Sequence, residues 1–388
     1  MIEFLSRRLI RDAGNVKDTR VRESYGILCG IAGIFFNLLL FAGKLTVGLL
    51  SGSISIVADA FNNISDAGSS CITLVGFRLA GQKPDPDHPF GHGRIEYLSG
   101  LIVSMLIVLM GFELGKSSVE RIFSPEKTVF SLTTVIILGV SVLVKLYMAF
   151  YNRRIGKKIG SAAMMATATD SISDSVATSV VLLCTLIARF TSLELDAYCG
   201  LAVSVIILIA GIRSAMDTVN PLLGQPPEEE FVREIETIVR ADPSVVGIHD
   251  LVVHDYGPGR RMISLHAEVP ADGDILELHD AIDNIENRLK RELSCEAVIH
   301  MDPVSTGENI AEAKRAVLNR VQEIDERITI HDFRMVEGPT HTNVIFDAVV
   351  PFTVPLSDAE AAERIRAKVK EENPNWFAVV QIDKSYVK

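Results

Sequence analysis

Six stretches of the chain are each long enough, as helices, to cross the roughly 30 Å of hydrocarbon in a bilayer. They are Ile27–Leu50, Ser53–Leu79, Tyr97–Leu114, Leu132–Phe150, Ser161–Phe190 and Ala197–Met216. In lipid only a helix or a closed barrel satisfies its own backbone, so these runs predict a multi-pass helical membrane domain over 27–224. The rest is not membrane-like: 48% of the 388 residues are hydrophobic and the mean hydropathy is only +0.28. Net charge is −11, with the acid concentrated beyond residue 226, which excludes nucleic acid as a natural partner. Five scattered cysteines with no CxxC pair indicate neither a disulfide framework nor a thiolate zinc site. Residues 1–26 mix both charges, lack a cleavable apolar region, and read as a cytosolic lead-in. Basic residues Arg153, Arg154, Lys157 and Lys158 after the fourth span place that side, and both termini, in the cytosol.

Carboxylates within such runs are costly and mark function. Asn62 and Asp66 in the second span, and Asp170 and Asp174 in the fifth, are each spaced i, i+4 and so share one helix face. At 1.5 Å per residue the two pairs lie at about the same depth, roughly 14–21 Å into the layer, on oppositely running helices. If the faces meet, four oxygen-donating side chains converge near the midplane. Such hard ligands suit Mn²⁺, Mg²⁺ or Ca²⁺ better than Zn²⁺ or copper. Three neighbouring carboxylates also repel, so a metal and protons become exchangeable ways of balancing their charge. The competing reading for each aspartate is an ordinary interhelical hydrogen bond.

After Asn220–Pro221 the pattern changes to alternating soluble elements. Glu230–Arg240 is helical, Ile248–His254 and Met262–Val269 alternate as strands, Ile275–Leu293 is helical and Ala297–Met301 is a strand. This αββαβ order predicts a small ferredoxin-like α+β domain with an antiparallel sheet over 225–305. The tail repeats it over 306–388: helix Ala313–Ile324, strands Thr329–Val336 and Asn343–Val350, helix Asp358–Glu372 and strand Ala378–Ile382. Ile248-His249-Asp250 matches Ile330-His331-Asp332, and Gly257-Pro258 matches Gly338-Pro339, so a tandem duplication is expected.

Three motifs in order, SISIVADAFNNISDAGSS, PDPDHPFGHGRIEYLSG and ATATDSISDSVATSVVLL, resemble the cation diffusion facilitator family of metal/proton antiporters. The likeness covers about residues 1–305. It implies a homodimer in the membrane, alternating access, metal export from the cytosol, and a transported-ion site that falls here on Asn62, Asp66, Asp170 and Asp174. Where zinc-transporting relatives usually place histidine this chain has Asn62 and Asp170, so it looks like the manganese-exporting branch. Mn²⁺ is therefore the expected cargo and regulator, with Zn²⁺, Fe²⁺, Co²⁺ and Cd²⁺ as alternatives. A bacterial cell membrane is the expected location. The resemblance also implies a cytosolic metal site on His249, His266, His279, His300 and Asp302. In the second copy Asp347 replaces His266 and Gln381 replaces His300, which reads as a degenerate site. The loop residues Asp85, Asp87, His88 and His92 suit either a further ion or a rigid hydrogen-bonded turn.

No P-loop, GxSxG or HExxH is present, so no enzymatic reading competes and an ion gradient is the expected energy source. The alternative of another class is a membrane-tethered metal sensor without transport.

Overall fold

In the computed structural model, residues 2–16, 18–51, 54–124, 132–191, 196–304, 307–338 and 340–385 are described. The chain divides into two compact units, Met1–Gln225 with Tyr256–Arg260, and Pro226–Asp255 with Arg261–Lys388.

The first unit contains α1 (Ile2–Leu9), α2 (Thr19–Ser51), α3 (Ile54–Ala80), α4 (Ile95–Phe123), α5 (Leu132–Ile159), α6 (Ala162–Thr191) and α7 (Asp196–Leu223). The helices overrun the apolar spans: α2 begins within the expected lead-in and α4 continues past Leu114. Hydrogen bonding continues after the side chains have become polar, so the composition change marks the lipid limit and not the helix end. Among the described residues, four helices, α2, α4, α5 and α7, are long and apolar enough by themselves to cross a membrane. Helices α3 and α6 are of similar length, with 27 and 30 residues, but carry the polar pairs.

Small residues set how closely these helices approach. Gly26, Gly30 and Gly33 of α2 face Phe77, Leu74 and Ser70 of α3 with no room for a side chain. Helix α6 is rich in Ala and Ser and packs against two cores. One includes Tyr25, Phe77, Met148, Tyr151 and Met164; the other includes Val103, Ile107, Ala166, Val203 and Ile207. The hydroxyls of Ser171 and Ser175 donate to carbonyls one turn earlier, at 3.1 and 2.8 Å, which satisfies them inside the helix. A Thr73–Thr167 hydroxyl pair at 2.9 Å ties α3 to α6 below the aspartates.

The second unit holds α8 (Glu229–Arg240), β1 (Gly247–Asp255), β2 (Arg261–Pro270), α9 (Ile275–Leu293), β3 (Cys295–Val304), α10 (Glu308–Gln322), β4 (Thr329–Glu337), β5 (Thr342–Val349), α11 (Asp358–Glu372) and β6 (Trp376–Asp383). Asp274 caps α9 by accepting from the Leu276 and Glu277 amides, and a Ser357–Glu360 capping box opens α11. The sheets are ordered β1-β2-β3 and β4-β5-β6. Each is mixed, correcting the antiparallel expectation: β1–β2 and β4–β5 are antiparallel, whereas β2–β3 and β5–β6 are parallel. A strand–helix–strand crossover that returns to the neighbouring position must arrive in the same direction. Each first strand bulges just after its histidine, with Asp250 and Asp332 at φ 51° and 50°. Aspartate is among the few residues that adopt this left-handed backbone readily.

Candidate metal centre

Asp66, Asp170 and Asp174 are buried, and each offers a carboxylate oxygen within 4.8 Å of the others. Asp66 comes from α3 and the other two from successive turns of α6. The two predicted faces therefore do meet. Asn62 lies one turn before Asp66, is exposed, and shares with it the wall of a cavity of about 940 Å³ running between α3 and α4. Ser65 and Ser69 line the same wall. Asn62 is thus exposed on the cavity wall beside the carboxylate group.

A fourth charged residue stands at the centre of the group. Lys145 of α5 donates from Nζ to Asp66 Oδ2 at 2.7 Å and to Asp174 Oδ2 at 2.6 Å, with its side chain 5% exposed. Lys44 of α2 is also buried, and its charge acts on Asp66. An ammonium ion in this position is a tethered cation: it neutralises part of the carboxylate charge and holds α3, α5 and α6 together.

In the second unit the strand register builds a row of ligand types. His249 is opposite His266 across β1–β2, and His266 is opposite His300 across β2–β3. Asp302 joins the row: its Oδ2 lies 3.0 Å from His249 Nε2 and 2.8 Å from His266 Nδ1, and its Oδ1 3.3 Å from His300 Nε2. Burial and the neighbouring His331 push the His249 imidazole below its ordinary pKa, keeping it in the neutral form that binds metal. His279 does not join them. It stands exposed on α9 with Asp283 3.8 Å away. Helix α9 packs Ile282, Ile285 and Leu289 on the core face with Leu265 and Ile299, whereas the row occupies the alternate positions and so the opposite face.

The chain matches the model of the cation efflux transmembrane domain over residues 30–223 and that of the cation efflux protein cytoplasmic domain over 227–304. The chain belongs to the cation efflux family. It is 32% identical over 275 residues to an uncharacterized transporter of Methanocaldococcus jannaschii, covering 71% of this chain and 97% of that one. It is 28% identical over 303 residues to the cation-efflux pump FieF of Shigella boydii and, equally, to that of Escherichia coli, covering 77% of this chain and all of each pump. As a family member it is a multi-pass membrane transporter that exports metal cations, and not an enzyme.

In this cation efflux protein the loop between α3 and α4 draws Asp85, His88 and His92 together. His88 Nδ1 lies 3.4 Å from Asp85 Oδ1 and His92 Nε2 3.3 Å from Oδ2. The His88 amide donates to Asp85 Oδ1 at 2.7 Å and, with the histidines beside it, holds that carboxyl below its usual range. Asp87 contributes only its backbone N–H, at 3.1 Å, and its side chain is exposed.

Lys145 and Lys44 were not among the residues singled out from the sequence. The signal was present, because each is a charge inside an apolar run, the same rule that exposed the aspartates.

Proposed function

We propose that the chain exports Mn²⁺ from the cytosol in exchange for protons, with Asn62, Asp66, Asp170 and Asp174 forming the transported-ion site. The observation that carries this reading is the convergence of three buried carboxylates, from helices α3 and α6, within 4.8 Å. Hard oxygen donors without imidazole or thiolate favour Mn²⁺ over Zn²⁺. In a low-dielectric interior their charge must be balanced at every stage, so metal release and proton uptake are linked.

Lys145 is the resident cation of the metal-free state. Its ammonium contacts Asp66 and Asp174 on oxygens that a metal would need, so metal entry breaks those two bonds. Lys145 then returns when the metal leaves, sparing the carrier an uncompensated site during its reset. Six membrane-crossing helices with both termini in the cytosol, a homodimer, and a second αββαβ domain duplicated from the first complete the reading. The cytoplasmic-domain match and the equivalent strand order of the two sheets support the last two.

The test is flux in reconstituted vesicles with an imposed pH gradient, comparing Mn²⁺ with Zn²⁺, Fe²⁺, Co²⁺ and Cd²⁺. Mn²⁺ movement is expected to dissipate the gradient, and Asp66→Ala or Asp174→Ala to abolish both while the dimer persists. Flux surviving in both variants would overturn the site assignment. Flux indifferent to the gradient would overturn antiport, and no flux of any metal would favour the tethered-sensor reading.

A further inference from the structure

His331 of β4 occupies the place in the second sheet that His249 occupies in the first. It lies beyond the stretch, residues 227–304, that matches the family's cytoplasmic domain. Its side chain is 7% exposed, and neither ring nitrogen makes a hydrogen bond among the described residues. The ring stacks on that of His249 with centroids 4.2 Å apart, and His249 Nδ1 is also buried without a hydrogen bond. Unpaired polar atoms in an interior are costly, and a cluster of them on two neighbouring imidazoles points to a partner from outside the chain.

Asp250 completes the group. Along a regular strand successive side chains face opposite ways, so the residue after His249 would point away from it. The bulge between His249 and Val252 re-aims Asp250, at φ 51°, and brings its Oδ1 to 3.6 Å from His331 Nε2. One ligand atom from each of His249, Asp250 and His331 lies within 4.8 Å of the other two. Ligands about 2.1 Å from a common ion stand roughly 3–4 Å apart, so a small contraction is enough to close the group. Rotation of an imidazole about its Cβ–Cγ bond is soft, which lets the two rings tilt out of the stack toward one point.

The second copy shows why this aspartate is available. Asp332 holds the equivalent left-handed position, at φ 50°, but Arg334 binds it at 2.6 Å. Val252 stands at the corresponding place in β1 and offers no charge, so the Asp250 carboxylate meets an imidazole of the other half instead. His249 also belongs to the histidine row, with Nε2 3.0 Å from Asp302 Oδ2. A neutral imidazole has one nitrogen with a free lone pair, so a metal held here draws His249 away from the row.

We propose that His249, Asp250 and His331 bind a divalent cation between the two αββαβ halves of one chain, with water completing its shell. Two imidazoles and one carboxylate form a borderline donor set that suits Zn²⁺ better than Mn²⁺. The site fastens the second half to the first and competes with the row for one shared ligand.

The test uses the full-length protein in nanodiscs carrying Asp66→Asn, Asp174→Asn, His266→Ala and His300→Ala, which disables the membrane group and the row. Zn²⁺ binding is measured by competition with a chromophoric chelator, and Co²⁺ is titrated in its place for its visible absorption. Adding His331→Gln or Asp250→Asn is expected to remove one bound Zn²⁺ per chain or to weaken it about tenfold or more, with loss of the matching Co²⁺ absorption. Asparagine tolerates a left-handed backbone, so the second variant keeps the bulge and decides the matter alone should His331→Gln fail to fold. Unchanged Zn²⁺ binding in either variant, with a native elution profile, would overturn the site and leave His331 a packing residue. The Asp85 loop group is present in every protein compared and so cancels. The background lacks the membrane aspartates, so the outcome does not depend on the transport reading.

Discussion

Lys145 Nζ lies 2.7 Å from Asp66 Oδ2, an ion pair sealed between α5 and α3 and extended to Asp174 on α6. A site organised only to hold a dication would gain nothing from an ammonium at its centre. A carrier that must also return without metal gains a great deal, because uncompensated buried carboxylates are among the costliest features a protein can hold.

The first prediction follows from that double duty. Lys145→Met keeps length and volume but removes the charge. The metal-free protein should lose about 3 kcal/mol or more at neutral pH, since breaking a buried pair leaves its partner uncompensated. Mn²⁺ should then stabilise the variant more than it stabilises the parent, because the competing cation is gone. Melting curves in nanodiscs with and without Mn²⁺ read both effects. A smaller Mn²⁺-induced shift in the variant would mean that the lysine organises the metal site and does not compete for it.

Asn62 offers a second, sharper test of selectivity. It is exposed on the cavity wall one turn from Asp66, so a larger side chain is accommodated there. Asn62→His replaces a hard oxygen by an imidazole nitrogen and should shift preference toward Zn²⁺. Competition of Zn²⁺ against Mn²⁺ flux should move by about tenfold or more, on the scale of single changes around bound metals. No change in the ratio would remove Asn62 from the ion's path.

The polar pairs were legible because i, i+4 spacing inside apolar runs is conspicuous, and each pair declares its own face. Lys145 is a single residue without a local partner, and its two carboxylates lie 79 and 29 positions away in the chain. The helix Asp358–Glu372 was read to its ends because a capping box opens it and Asn373-Pro374 closes it. The direction of β3 and β6 was misread from the strands, whose alternation is the same in parallel and antiparallel pairs; the crossover helices, which the sequence did show, decide it. The setting of His279 was not legible for a related reason: a helical pattern reveals a buried stripe, but not which side of a distant sheet receives it.

Packing beneath the site supplies a third prediction. A side chain at Gly30 would place its Cβ 2.6 Å from Leu74 Cβ and 3.2 Å from Leu74 Cα, so α2 and α3 would have to separate. Gly30→Ala should cost about 1–3 kcal/mol, as overpacking of a close contact does. Gly30→Leu should prevent stable assembly. Because α3 carries Asp66, the alanine variant should also lose flux, and melting temperature and vesicle uptake can be measured on the same preparation.

The cytosolic unit makes the fourth prediction, on pH. Burial and the neighbouring His331 lower the His249 pKa from 6.5, so between the lowered value and 6.5 the unfolded chain binds more protons than the folded one. Stability must then rise with pH through that window, be fully present above 6.5, and be lost as pH falls through the folded value. Trp376 is the sole tryptophan and sits on β6, so its fluorescence follows unfolding of this unit. Denaturant melts in chelator should show a midpoint falling below pH 6.5, and His249→Leu should flatten that dependence. A midpoint equally pH-dependent in His249→Leu would assign the proton to another group in the unit. With metal present the acid limb should steepen, because protonation then competes with ligation as well as with burial.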